Sequence, residues 1–153
     1  MVVGKKYFSS LDCKSGFWQI RLDEKSKPLT SFSCPQGQFQ RNVVPFGSKQ
    51  APGLFQWYMD NILKPFKDIC LEYVDDILIY SDTKEQHLKD VEEILKICKD
   101  NGVVISKKKA VINQQKIKFL GFEIDNGRMA FSLDDNSLSL DQNTNWLSLK
   151  SLI

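Results

Sequence analysis

Histidine is nearly absent: His87 is the single one among 153 residues. The four cysteines, at 13, 34, 70 and 98, are too widely spaced for a Cys-x-x-Cys pair. One imidazole and scattered thiols argue against a zinc site and predict free cysteines in a reducing compartment. No apolar run approaches the roughly 18–20 residues that cross a bilayer, which excludes a transmembrane helix. The opening Met-Val-Val-Gly-Lys-Lys has no apolar stretch of the secretory type, so an intracellular protein with no membrane partner is expected. The net charge of +2 excludes a histone-like polycation but leaves nucleic-acid binding open. No internal repeat stands out.

A hydrophobic fraction of 42% and a charged fraction of 26% describe one globular domain of ordinary size. The charge is blocky. Residues 1–60 carry 8 basic and 4 acidic side chains, 61–102 carry 6 and 10, and 103–128 carry 6 and 2. An acidic centre therefore lies between two basic flanks. In 129–153, Ser, Leu and Asn fill 14 positions without a clear period, and a weakly structured tail is expected there.

Tyr7 to Asp12 reads as a strand ending in a carboxylate, broken at Ser15-Gly16. Pro28–Cys34 and Gln38–Val44 read as a hairpin around Pro35-Gln36-Gly37. Gln50–Leu63 reads as a helix with Pro52 in its first turn and Leu54, Trp57, Tyr58 and Ile62 as its apolar positions. Ile69–Val74 and Ile77–Tyr80 are too short for helices and predict a hairpin with Asp75-Asp76 as its two-residue tip. Asp82 or Thr83 can cap a second helix, whose stripe is Leu88, Val91, Ile94, Leu95 and Cys98 and whose stop is Asn101-Gly102. His87 is expected on an exposed face, and Phe55, Trp57 and Tyr58 in helix packing. Val103–Ser106, Ala110–Ile112 and Ile117–Ile124 read as further strands. The order predicts an α+β fold, an antiparallel sheet with helices on one face.

The sharpest feature is Tyr73-Val74-Asp75-Asp76. Adjacent carboxylates between two apolar strands repel each other where the chain enters its core. Alone, an Asp-Asp pair is most simply a solvated turn; strands such as Ile77-Leu-Ile-Tyr80 on its flank weaken that reading. If the Asp12 strand is a neighbour, Asp12 and Asp75 converge at one end of the sheet. Converging carboxylates serve as an acid/base pair or hold Mg²⁺, which prefers hard oxygen ligands and is commonly shared with phosphates.

Tyr73-Val-Asp-Asp76 resembles the metal-binding hairpin of reverse transcriptases. Phe8-Ser-Ser-Leu-Asp12-Cys-Lys-Ser-Gly-Phe-Trp-Gln-Ile20 is similar to the family's first catalytic motif. Asn42-Val-Val-Pro-Phe-Gly47, with Lys49-Gln-Ala-Pro52 and Phe55-Gln56, resembles its template and nucleotide motif. Phe119-Leu-Gly-Phe-Glu-Ile124 resembles its primer grip. The order and spacing match over roughly residues 5–127, and the wording is nearest to plant pararetroviruses (caulimoviruses) and related long-terminal-repeat retroelements.

The resemblance implies a palm over 5–127, with a divergent tail over 128–153, that adds deoxynucleotides to a DNA primer on an RNA or DNA template. It implies Asp12, Asp75 and Asp76 as catalytic carboxylates and as ligands of two Mg²⁺ ions, which Mn²⁺ can replace. The Cys13 carbonyl would complete the metal site. Phe17 would screen the sugar 2′ position, and Phe46 and Gly47 would flank the incoming nucleotide. Tyr73, Leu120 and Gly121 would meet primer and template. Lys108 or Lys109 would approach the triphosphate, in a stretch (103–118) with five lysines and no acid; a solvated basic turn is an equal reading for either.

The chain also departs from the family. Only 11 residues precede Asp12, so most of the fingers is expected to be missing, and 129–153 does not resemble a thumb. Ser48 replaces a commonly apolar residue and Arg41 a common aromatic. These departures suggest a truncated or endogenous copy that keeps the fold without polymerising. A non-catalytic RNA-binding sheet would have no use for Asp12, Asp75 and Asp76 together, and a palm-type nucleotide cyclase would not need Phe119-Leu-Gly121.

Overall fold

The computed structural model describes residues 2–125 and 128–131. Strand β1 (Tyr7–Asp12) is followed by a 3-10 turn at Gly16–Gln19 and another at Lys27–Thr30. A small hairpin joins β2 (Phe32–Cys34) to β3 (Gly37–Phe39). It is shorter than the sequence predicts, because Pro28 starts the second 3-10 turn rather than a strand. Helix α1 (Ala51–Leu63) leads to β4 (Cys70–Tyr73) and β5 (Asp76–Ser81), then to helix α2 (Lys84–Asp100). Four short strands follow: β6 (Val111–Gln114), β7 (Lys116–Phe119), β8 (Phe122–Asp125) and β9 (Arg128–Phe131). Strand β9 extends past the 5–127 unit read from the sequence; the rest of the expected tail, 132–153, lies outside the described residues.

The main sheet has the order β4-β5-β1-β6, and each of its pairings is antiparallel. Side chains alternate along its strands, so the sheet feeds two cores. Leu11, Ile77 and Ile79 face the helices and pack with Phe55, Met59, Leu63, Ile94 and Cys98. Phe8, Leu78 and Tyr80 face the other way and pack with Ile117, Phe119 and Ile124 of the β7-β8-β9 sheet. Each fully buried Leu, Ile, Phe or Met stabilises the fold by about 1.5–3 kcal/mol. The result is α+β with both helices on one face of the main sheet, as the element order predicts. No helix among the described residues is long and apolar enough to cross a membrane. The cysteines are free thiols.

Several local expectations are corrected. Helix α1 buries Ala51, Phe55, Met59, Ile62 and Leu63, while Leu54 and Trp57 are exposed. Of the apolar positions expected from the sequence, Ile62 is buried but Leu54 and Trp57 are not, and Trp57 does not take part in helix packing. Helix α2 is capped by Thr83, whose hydroxyl accepts from the Gln86 amide. Its buried positions are Asp90 together with His87, Val91, Ile94 and Cys98, the last four spaced by four, three and four, and Leu88 is exposed. His87 is therefore inside, not on the surface. Its Nε2 lies 2.7 Å from Ser9 Oγ on β1, and its Nδ1 lies 3.0 Å from Ser81 Oγ on β5. Ser81 donates to Asp90 at 2.6 Å, so its oxygen accepts from the His87 Nδ1–H. Buried polar groups are thus paired across three elements.

The predicted strand over 117–124 is a hairpin. Leu120 and Gly121 both have positive φ, 48° and 80°, and turn the chain between β7 and β8. Residues 103–106 make only an isolated bridge, Ile105 to Cys13.

Candidate active site

The register of the main sheet gathers the acidic residues. Asp12, the last residue of β1, stands opposite Asp76, the first of β5. The β4–β5 tip is Val74-Asp75, not Asp75-Asp76: Tyr73 and Asp76 are the closing pair. Asp76 therefore belongs to a strand, on the same sheet face as Asp12, and Asp75 belongs to the turn. The Cys13 amide donates to the Asp75 carbonyl at 2.7 Å, tying the end of β1 to that turn. The Ser106 amide donates to the Asp12 carbonyl at 2.8 Å from the other side.

The turn is strained. Val74 has φ +51°, a region that β-branched residues avoid. Its amide donates to Gln56 Oε1 on α1 at 2.7 Å. Among the described residues, Asp75 Oδ1 is buried without a hydrogen-bond partner. It sits against Gly16, where a Cβ would overlap that oxygen and the Phe55 ring. Sequence reasoning gave Gly16 only a strand-breaking role; its absent side chain makes room for Asp75.

Burial, then the nearby Asp12 and Asp76, pushes the Asp75 carboxyl above its ordinary range, while Lys109 pulls it down. Burial and Asp12 do the same to Asp76, again opposed by Lys109. Lys109 Nζ lies 3.0 Å from Asp12 Oδ2, and the carboxylate raises its ammonium pKa. All three lysines of this basic turn are exposed, and Lys109 is the one that reaches Asp12 at the acidic end. Burial holds the Cys13 thiol at about 12, so it stays protonated.

Phe17 packs edge-on against Phe46 and Phe55, at centroid distances of 5.3 and 6.0 Å. Phe46 is half exposed and also meets Trp18. Gly47, next to it, has φ +85°, which explains a glycine there. Tyr73 is exposed and shares the lining of one cavity with Leu120, between the main sheet and β7-β8-β9. The structure thus brings Asp12, Asp75, Asp76 and Lys109 to one sheet end, with Phe17 and Phe46 nearby in a second group.

These motifs and this sheet are matched by known proteins. The reverse transcriptase (RNA-dependent DNA polymerase) family matches residues 2–124. The chain belongs to the reverse transcriptase family. It is 55% identical over 127 residues to the enzymatic polyprotein of Cauliflower mosaic virus (strain D/H), covering 83% of this chain and 19% of that protein. It is 53% identical over 124 residues to the enzymatic polyprotein of Figwort mosaic virus (strain DxS), covering 81% and 19%. Among solved structures it resembles the foamy viral protease-reverse transcriptase in complex with RNA/DNA hybrid. The TM-score there is 0.79 at 28% identity, over 98% of this chain and 21% of that one. The chain spans about a fifth of the curated relatives it matches.

Among the described residues, no group of three or more His, Cys, Asp and Glu side chains is gathered tightly enough to hold a metal ion. The donor chemistry nevertheless suits a hard divalent cation. The carboxylates of Asp12, Asp75 and Asp76 lie at one sheet end, Asp75 Oδ1 has no partner among the described residues, and the ammonium of Lys109 sits against Asp12.

Proposed function

We propose that residues 5–127 form a reverse transcriptase palm that adds deoxynucleotides to a primer 3′ end, directed by an RNA or DNA template. The observation that carries this is the Asp12–Asp76 register with Asp75 in the adjoining turn. Asp12 and Asp75 would hold Mg²⁺, with Asp76 beside them and the Cys13 carbonyl as a further oxygen; Mn²⁺ is a chemically reasonable substitute. Two bound ions would supply activation of the primer hydroxyl and stabilisation of the leaving pyrophosphate.

The chain's own residues do the rest. The carboxylates concentrate negative charge at a sheet end where burial has already raised two of them. Lys109 offsets that charge and would meet a triphosphate; Lys108 would offer its charge to backbone phosphates. Phe17, braced by Phe46 and Phe55, presents a ring that would clash with a ribose 2′-hydroxyl. Gly47 lets the backbone approach the nucleotide beside Phe46. Tyr73 and the Leu120-Gly121 turn would meet primer and template; Tyr73 and Leu120 share the lining of one cavity, which supports assigning them together.

The test is templated extension by the purified chain, on RNA and DNA templates, with single nucleotides withheld. Arrest opposite each withheld nucleotide's partner base supports the reading. No extension from protein shown to be folded would contradict it and favour a copy that keeps the site without turnover.

A further inference from the structure

The β2–β3 hairpin carries a surface that the acidic sheet end does not use. Phe32 and Phe39 are directly opposed across the hairpin, so both side chains stand on one face. Their rings stack at a centroid distance of 6.0 Å, with 28° between the planes. Phenylalanine is ordinarily buried, yet these two are 45% and 47% exposed. Arg41, two residues beyond Phe39, holds its guanidinium carbon 5.4 Å from the centre of the Phe32 ring. Its backbone is anchored: the Arg41 amide donates to Thr30 Oγ1 at 2.9 Å, and that hydroxyl donates to the Lys27 carbonyl at 2.7 Å. Arg41 is also a position where the sequence departs from an aromatic common in the family, and the departure supplies the cation.

The charge around the rings has one sign. Residues 25–49 hold four basic side chains and no acid. Lys27 is paired with Glu24, and Lys25, Arg41 and Lys49 are exposed. Flat rings beside a cation, in an acid-free stretch, suit single-stranded nucleic acid. Bases stack on the rings whatever their sequence, and phosphates meet the positive charge. A duplex does not offer its base faces, because they are stacked on one another. A protein partner fits less well: two half-exposed rings offer about 200 Å² between them, short of the roughly 800 Å² per partner in a stable interface.

We propose that Phe32, Phe39 and Arg41 form a binding platform for single-stranded nucleic acid, with bases on the rings and a phosphate on the guanidinium. The platform is joined to the second aromatic group of the candidate site. The Leu22 amide donates to the Asn42 carbonyl and the Val44 amide to the Ile20 carbonyl, each at 3.0 Å, with a bridge between Arg21 and Val43. This short ribbon leads from Arg41 to Phe46, which packs on Phe17 and Trp18. A strand on the platform therefore leads toward the residues read as flanking the nucleotide, and it is the unpaired template. Naming it the template rests on the polymerase reading; the binding itself does not.

The experiment is fluorescence anisotropy with the full 153-residue chain in metal-free buffer. The probes are labelled single-stranded RNA, single-stranded DNA and a DNA duplex, each about 12 nucleotides long. Phe39→Leu should weaken binding of both single strands roughly fivefold to a hundredfold and leave duplex binding unchanged, and Phe39→Tyr should bind as the native chain does. Arg41→Gln should weaken binding and lower the slope of log affinity against log salt by about 0.7, the value of one phosphate contact. Thermal denaturation checks that each variant is folded. Single-strand affinity untouched by Phe39→Leu, or lost equally from the duplex, overturns the proposal. So does a native chain that self-associates through this face and becomes monomeric in Phe39→Leu with no change in oligonucleotide affinity. If templated extension fails while Phe39→Leu still loses single-strand binding, the polymerase reading fails and the platform stands. If extension succeeds and single-strand binding ignores Phe39→Leu, the platform alone fails.

Discussion

Lys109 Nζ lies 3.0 Å from Asp12 Oδ2, joining residues 97 apart in sequence at the acidic end of the sheet. The ammonium lowers the pKa of Asp75 and Asp76 against the effects of burial and of Asp12. Lys109→Met should therefore raise both carboxyls further. Protons would then compete better with a divalent cation, and half-maximal Mn²⁺ binding should move to higher pH. Calorimetric titrations between pH 5 and 8 check this; an unchanged or lowered midpoint contradicts the electrostatic role given to Lys109.

Gly16→Ala should destabilise the chain by about 1–3 kcal/mol, because the new methyl meets Asp75 Oδ1 and the Phe55 ring. Gly53→Ala is the control: a Cβ there meets nothing within 4 Å, and the position is helical. It should stabilise by about 0.5–1 kcal/mol. Urea denaturation of the two variants gives both values, and equal effects would remove Gly16 from the site.

His87→Leu should cost about 1–3 kcal/mol at pH 8, since it removes the buried hydrogen bonds that the ring makes with Ser9 and Ser81. The pH dependence has a definite sign. Burial holds His87 below its ordinary 6.5, against the pull of Asp90. The unfolded chain then binds more protons than the folded chain below 6.5, so stability falls as pH drops through that value. The difference between native and variant stability should shrink from pH 7 to pH 5. A constant difference would mean that His87 does not titrate on unfolding.

The carboxylate hairpin, the first strand and the capped second helix were all legible in the sequence, because each depends on neighbours in the chain. Thr83 and Asn101-Gly102 mark the ends of α2 by local chemistry alone. His87 was not legible: its partner Ser9 is 78 residues away, and a lone imidazole between Gln86 and Leu88 gives no sign of it. The Leu120-Gly121 turn was hidden because its only turn former sits inside an apolar run. Val74 was misplaced for a similar reason, since a β-branched residue at positive φ is the last choice that turn propensity would make. Strain of this kind gathers where function overrides local preference.

Phe17→Ala should relax discrimination against ribonucleotides in a chain that extends primers. The ring is held edge-on by Phe46 and Phe55, so its loss opens the space that a 2′-hydroxyl would enter. The ratio of deoxynucleotide to ribonucleotide incorporation measures it, and an unchanged ratio would place the gate elsewhere.

The most direct measurement is Mg²⁺-dependent primer extension by the chain beside Asp75→Asn, with the folding of both checked by thermal denaturation. The account predicts extension that needs Mg²⁺ and vanishes in the variant. It also predicts a variant no less stable than the native chain without metal, because one of three mutually repelling acids has been neutralised. Extension retained by Asp75→Asn would contradict the assignment of the Val74-Asp75 turn as part of the catalytic centre.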